Sequence, residues 1–261
     1  MKKLMKMETA NFFWHGNPLS LYEKLCISSF VKHGFEVNVW SFMDLDVPEG
    51  AVLKDASEIL PKDWLFKYKQ GGKQGCIAAF SDVFRLVLIY KHPGTWWFDT
   101  DSICLKDASE YAKLKEGRVI VAGWEDKNHH SIGIGALTIT DQTTAFGLVC
   151  EQKKRSDELT DIPWAELGPR LVTRYFEKHN MSDQFFETDV FYPIDFYKWN
   201  LIYDVSLTES LLDKCKDAYM HHLWNEALKH YIDKNTTPPK GSFMHLMFER
   251  YLPEALQKDA K

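Results

Sequence analysis

Asn11-Phe12-Phe13-Trp14, the run Leu21-Tyr22-Glu23-Lys24-Leu25-Cys26-Ile27-Ser28-Ser29-Phe30-Val31-Lys32, and Phe35-Glu36-Val37-Asn38-Val39-Trp40 decide the fold class. Phe12 to Trp14 reads as a short apolar strand. The run 21–32 is long enough for a helix and stops at Gly34, which suits a helix end. Residues 35–40 alternate as a strand should. A β-α-β opening of this kind builds a parallel sheet through a right-handed crossover, and ligands gather outside the carboxyl ends of such strands. Trp14 and His15 fall at one of those ends.

Further along, residues 41–75 read as loops and short helices, closing on the turn-prone Gln70-Gly71-Gly72-Lys73-Gln74-Gly75. Residues 77–91 keep helical spacing at Phe80, Val83, Phe84, Val87 and Leu88, and His92-Pro93-Gly94 ends that helix. Thr95-Trp96-Trp97-Phe98 is a strand without a polar face, running straight into Asp99-Thr100-Asp101. Residues 118–123 and 131–140 read as further strands, the second with glycines that mark a bend or a close approach to a ligand. Helices are expected over 168–179, 207–216 and 241–251, with 233–241 a mobile loop. No internal repeat or low-complexity tract is present.

The chain has 261 residues, 45% hydrophobic and 26% charged, enough to bury a sizeable core. A formal net charge of -5 gives no overall basic field, so nucleic acid is not the expected partner. The lysine-rich start, residues 1–9, runs into Asn11 without the apolar stretch of a signal peptide. No segment reaches the roughly 20 apolar residues of a membrane span. Cys26, Cys76, Cys104, Cys150 and Cys215 are odd in number and lack metal-ligand spacing, which suits reduced packing thiols in a cytoplasm.

Asp99 and Asp101 follow three bulky apolar residues, so a buried strand ends in two carboxylates on one face. Buried carboxylates need a partner, and a divalent cation supplies one. Capping of a following turn is the plainer alternative. Asp44-Leu45-Asp46 repeats the pattern in a polar loop and serves as an internal control. Asp82 and Arg85, three apart, interrupt the apolar run of the preceding helix. A structural ion pair and a ligand-binding pair both fit that spacing.

Read forward, Ser81-Asp82-Val83-Phe84-Arg85, Tyr90-Lys91-His92-Pro93-Gly94 and Thr95-Trp96-Trp97-Phe98-Asp99-Thr100-Asp101 resemble the DXD-containing sugar-binding region of family 32 glycosyltransferases, the group of the α-1,4-galactosyltransferases and α-1,4-N-acetylglucosaminyltransferases. Tyr219-Met220-His221-His222-Leu223-Trp224-Asn225 resembles that family's carboxyl-terminal region. Gly168-Pro169-Arg170-Leu171-Val172-Thr173-Arg174 and Phe191-Tyr192-Pro193 are similar to segments between the two. The resemblance covers residues 77–250. It departs from the pattern at Pro93-Gly94, where the family has Gly-Gly, and at residues 132–135, where an asparagine is often found.

The resemblance implies an α/β fold of GT-A type: a Rossmann-like nucleotide-binding sheet fused to a smaller acceptor-binding part. It implies one catalytic domain over 1–261, with 1–105 binding the nucleotide sugar and 106–261 binding the acceptor and closing the site. The implied activity is retaining transfer of a hexose or N-acetylhexosamine from a UDP-sugar to a glycan, with Mn²⁺ or Mg²⁺ stabilising the departing diphosphate. Asp99, Asp101 and His222 are the implied metal ligands. Asp82, Arg85 and Asp101 are the implied catalytic set. Trp14 would stack on the uracil, Asp82 and Arg85 would meet the sugar and diphosphate, Asp99 would bind the metal directly or through water and the ribose, and Trp224 and Asn225 would close over the diphosphate. The missing anchor of the animal members points to a soluble bacterial form working on capsule or lipopolysaccharide, in the cytoplasm at the inner face of the membrane. The acceptor would be an oligosaccharide or a lipid-linked glycan.

Three rivals have distinguishing features. A phosphohydrolase with Asp99 as nucleophile would want threonine or valine where Ile103 stands. A nucleotidyltransferase would want an early glycine-rich basic loop, and residues 10–20 offer only Gly16. A carbohydrate-binding protein would suit the 14% aromatic content but needs no metal-diphosphate site.

Overall fold

The computed structural model describes residues 7–69, 74–158 and 161–257. Most of the expected turn at 70–75 and of the lysine-rich start lies outside them. The opening unit is β1 (Thr9–Phe13), α1 (Leu21–Lys32) and β2 (Glu36–Ser41), with β1 and β2 parallel. Ser20 caps α1 in a capping box with Glu23, satisfying amides the helix cannot bond internally.

The region expected as loops and short helices holds two short 3₁₀ turns and also a strand, β3 (Ala51–Asp55), parallel to β2. Its five residues are half exposed at the sheet edge, so no apolar face marks them in advance. After α2 (Ala78–Lys91) come β4 (Trp96–Phe98), β5 (Ser102–Cys104), α3 (Ala108–Leu114), β6 (Ile120–Trp124) and β7 (Ile132–Ile139). A helix that the sequence reading omitted follows, α4 (Gln142–Glu158). Its polar composition conceals it, although Ala145, Leu148 and Gln152 are buried at helical spacing.

The remainder is α5 (Pro169–Lys178), α6 (Thr188–Phe191), α7 (Thr208–Cys215), β8 (Met220–His222), α8 (Asn225–Leu228), α9 (Phe243–Tyr251) and α10 (Pro253–Gln257). Residues 233–241 carry no regular element, and the Lys234 ammonium pairs with the buried Glu23 carboxylate.

The six-stranded sheet runs β3-β2-β1-β4-β7-β6. β4 is parallel to β1 and antiparallel to β7, and β6 is antiparallel to β7, so the carboxyl ends of β1, β4 and β6 lie along one edge. Period-two alternation splits the aromatic pairs between two cores. Phe13 and Trp97 face one side with Phe84, Ile134 and Leu171. Phe12, Trp96 and Phe98 face the other with Phe30 and Tyr111. Each such side chain contributes about 1.5–3 kcal/mol on burial. With helices over both faces, this is the doubly wound α/β arrangement expected from the opening unit. β5 pairs with β8 in a separate two-stranded ribbon above a third core built on α9.

Candidate active site

The carboxyl edge opens into a cleft of about 1270 Å³. That exceeds the few hundred to 1,000 Å³ usual for one small ligand and leaves room for two substrates. Every residue singled out from the sequence lines it: Trp14, Asp82, Arg85, Asp99, Asp101, His222, Trp224 and Asn225. The control pair Asp44 and Asp46 is exposed in a loop away from it.

Two elements bring the carboxylates together. β4 delivers Asp99, whose amide donates to Gly135 O at 2.9 Å on β7. The β5–β8 ribbon pairs Ser102 with His222, and Leu223 N donates to Asp101 O at 2.8 Å, which places His222 beside the two aspartates. His222 Nε2 lies 3.4 Å from Asp101 Oδ1 and 3.7 Å from Asp99 Oδ2. One ligand atom from each of the three residues falls within 4.8 Å of the others.

The remaining oxygens are committed elsewhere. Asp99 Oδ1 accepts from Arg85 Nη2 and from Trp97 Nε1, both at 2.9 Å. Asp101 Oδ2 accepts from the Asn225 amide at 2.7 Å. Asp99 Oδ2 and Asp101 Oδ1 are therefore left facing the gap with the imidazole. Two carboxylates and one imidazole suit a divalent ion of the manganese type. Gly135 keeps the gap open, since a Cβ there would stand 3.0–3.2 Å from His222 and from Asp99 Oδ2.

The electrostatics follow from this crowding. Burial opposes charge on Asp99, but Arg85, His222 and Trp97 outweigh it and hold the carboxyl well below its ordinary value. Asp101 moves the other way: burial and the Asp99 charge raise it, against His222 and the Asn225 amide. Burial also opposes charge on His222, yet Asp101 and Asp99 carry its pKa upward.

The Trp224 amide donates to His222 Nδ1 at 3.1 Å, so the proton of the neutral ring sits on Nε2, toward the aspartates. Direct ligation through Nε2 requires that proton to move to Nδ1 and the Trp224 amide to turn away. Trp224 is left-handed, at φ 57° and ψ 53°, a costly conformation for a bulky residue. Its Nε1 donates to Ile194 O at 2.8 Å and helps hold it there.

Asp82 and Arg85 share the α2 face that looks into the cleft. Arg85 Nη2 is 3.3 Å from Asp82 Oδ1, and Nη1 donates to the Ile134 carbonyl. Gly168 lies so close that a Cβ there would meet the Asp82 carboxyl at 2.4–2.6 Å. Burial, reinforced by Asp99 and Glu125 and opposed by Arg85, pushes the Asp82 carboxyl up to about 7. At the β1 end, Trp14 Nε1 donates to Asn17 O at 2.7 Å, and the Lys234 ammonium sits 5.6 Å from a Trp14 ring centroid.

Several lining residues escaped sequence reading. Trp97 was legible, because two residues before Asp99 on a strand is the same face. Glu125, directly after β6, carries the signal used for Asp99, a carboxylate ending an apolar strand. Tyr192, whose hydroxyl oxygen accepts from the Gly135 amide at 3.1 Å, gave no local signal of this contact.

Residues 157–257 match the family model described as the alpha 1,4-glycosyltransferase conserved region. The chain is similar to lactosylceramide 4-alpha-galactosyltransferase of Rattus norvegicus, 23% identical over 180 residues, which is 62% of this chain and 45% of that protein. The Homo sapiens protein of the same name is 23% identical over 177 residues, 63% of this chain and 46% of that one. The chain thus spans under half the length of these relatives. Among solved structures, the WbbM bifunctional glycosyltransferase aligns with TM-score 0.51 at 8% identity, covering 100% of this chain and 53% of that one. That likeness speaks to the fold, which is of GT-A type. Over residues 157–257 the chain thus carries a region similar to the alpha 1,4-glycosyltransferase conserved region, on a fold of glycosyltransferase type.

Proposed function

We propose that this protein is a retaining glycosyltransferase that moves a hexose or N-acetylhexosamine from a UDP-sugar to a glycan, with a divalent cation, Mn²⁺ or Mg²⁺, held by Asp99, Asp101 and His222. The observation that carries the reading is the convergence of these three ligand atoms within 4.8 Å at the carboxyl edge of β4. The cleft running from there to Trp14 at the end of β1 supports it. Such an ion supplies Lewis-acid stabilisation of the negative charge that develops on a departing diphosphate.

The chain's own residues do the rest. Arg85 fixes Asp99 through one nitrogen and β7 through the other, and so presents a rigid guanidinium beside the diphosphate. Asp82 accepts hydrogen bonds from hydroxyls of the donor sugar. Trp14 offers its face to the base, and Trp224 and Asn225 close over the phosphates. In a same-face transfer the acceptor hydroxyl loses its proton to the departing phosphate oxygen as the new bond forms at the anomeric carbon. The mammalian relatives are named for a galactosyl group and a lactosylceramide acceptor. For this chain the acceptor is an oligosaccharide or lipid-linked glycan of a bacterial surface, capsule or lipopolysaccharide, met in the cytoplasm at the membrane face. Residues 1–105 bind most of the donor, and 106–261 bind the acceptor and close the site.

The test is UDP release from a panel of UDP-sugars with Mn²⁺ or EDTA, for wild type beside Asp101→Asn. Mn²⁺-dependent turnover of one donor, reduced on the order of 100-fold or more by the substitution, is expected. Absence of both turnover and metal-dependent UDP binding in the wild type would overturn the reading in favour of a carbohydrate-binding protein or a different nucleotide.

A further inference from the structure

Five acidic side chains line the cleft: Asp82, Asp99, Asp101, Glu125 and Glu226. Four are accounted for. Asp82 and Asp99 share Arg85, Asp99 and Asp101 flank His222, and Glu226 pairs with Lys229 on its own helix. Glu125 has no lysine or arginine at ion-pair distance among the described residues; its side chain bonds Ser131 and lies within the field of His222, and it stands outside the Asp99, Asp101 and His222 cluster. It is nonetheless half-buried and opens on the cleft.

Its position follows from the sheet. The Glu125 amide donates to Ser131 O at 2.9 Å, continuing the pairing in which Gly123 opposes Gly133 and Trp124 opposes Ile132. Opposed residues share a face, and alternate residues along a strand share it too. Glu125 therefore projects from the same sheet face as Gly123, Gly133 and Gly135. A Cβ on Gly133 would strike the Tyr192 ring, and one on Gly135 would approach His222 and Asp99. Gly133 thus makes room for the Tyr192 ring, and Gly135 for His222 and Asp99, beside the cleft that Glu125 lines.

Along the edge the order is Trp14 after β1, Asp99 after β4, then Glu125 after β6. β6 lies two strands from β4, roughly 10 Å at the usual strand spacing. That is about the reach of a hexose ring attached to a diphosphate held at Asp99. Asp82 approaches the same volume from the helical side. It lies against Gly168 at the start of α5, and Thr173 on that helix bonds the Ile132 amide next to Ser131. Two carboxylates facing one water-accessible space, one of them without a lysine or arginine partner, suit a neutral ligand rich in hydroxyl donors.

Resting on the transferase reading, we propose that Glu125 is a donor-sugar contact, its carboxylate accepting hydrogen bonds from hexose hydroxyls on the side of the ring away from Asp82, and so selecting which hexose the site accepts. A carboxylate spanning two adjacent hydroxyls discriminates between epimers, because inverting one carbon leaves an acceptor oxygen unmatched. Residues that contact only the nucleotide or the metal have no such preference.

The experiment compares wild type, Glu125→Gln and Glu125→Asp for affinity toward UDP alone and toward UDP-glucose, UDP-galactose, UDP-N-acetylglucosamine and UDP-N-acetylgalactosamine, all with Mn²⁺. Expected are unchanged UDP affinity, which also reports that the variants are folded, about 10-fold or greater weakening for the preferred UDP-sugar, and a flattened ranking among the four. Equal UDP-sugar affinity in wild type and Glu125→Gln would overturn the proposal and leave the transferase reading intact. So would a loss as large for UDP as for UDP-sugar, or a wild type that binds UDP-sugars no better than UDP. A wild type without Mn²⁺-dependent UDP affinity would overturn both.

Discussion

Asp82 shows how a residue can serve a site at the expense of the fold. Its carboxyl is raised to about 7 from an ordinary 3.8, burial being the main cause. Between those values the folded chain binds more protons than the unfolded one. The stability linked to Asp82 is therefore fully present below about pH 4 and lost as pH rises through 7. Asp82→Asn removes that loss while keeping the side chain's shape, and Arg85 retains Asp99 and Ile134 O. The variant should melt above wild type, by several degrees more at pH 8 than at pH 5, on a scale of about 2–4 °C per kcal/mol for a chain this size. UDP-sugar affinity should fall at both pH values. Thermal melts at the two pH values check this, and a pH-independent difference would show that Asp82 stays ionised in the fold. Such a trade of stability against binding is common where a charge is buried for function.

At the scale of elements, the segment 233–241 was expected to be a mobile loop. Lys234 instead joins it to α1, pairing with Glu23, a carboxylate 2% exposed that also closes the α1 capping box. The same ammonium approaches Trp14. One contact thus ties a segment without regular structure to a helix start and to the Trp14 end of the cleft. Lys234→Ala leaves Glu23 buried without its cation and should cost about 3–5 kcal/mol. Denaturant unfolding would measure it, and limited proteolysis should show earlier cleavage within 233–241. An unfolding free energy within about 0.5 kcal/mol of wild type would mean that the pair is idle.

Across the whole molecule, the cleft takes residues from β1, α2, β4, β7, α5, β8 and α8, with Glu125 just past β6. Its ligand should therefore stabilise the global fold. Anything that binds only the folded state adds free energy by mass action, about 2.7 kcal/mol at a hundredfold excess over Kd. Wild type with Mn²⁺ and UDP at that excess should melt roughly 5–10 °C higher than without them. EDTA should abolish the shift, and Asp101→Asn should show none. A shift given equally by UDP in EDTA would place the nucleotide away from the aspartates.

The sequence by itself determined the elements whose pattern is local. The capped helix 21–32, the strand 36–41 and the aromatic strand before Asp99 recur with nearly the expected bounds. The family resemblance and the α/β class were legible for the same reason: motifs and alternation are read within a few turns of chain. What lay outside local pattern was decided by packing. β3 exists because β2 offers it an edge, and α4 because a groove beside α2 accepts a polar helix. Only the tertiary structure brought His222 to within 4 Å of two aspartates more than a hundred residues earlier, through a three-residue ribbon too short to announce itself. Glu125 needed it too. A carboxylate at a strand end joins a cleft only when strand order and direction place that end on the same edge as Asp99 and Asp101, and those are fixed by long-range pairing that no local stretch encodes.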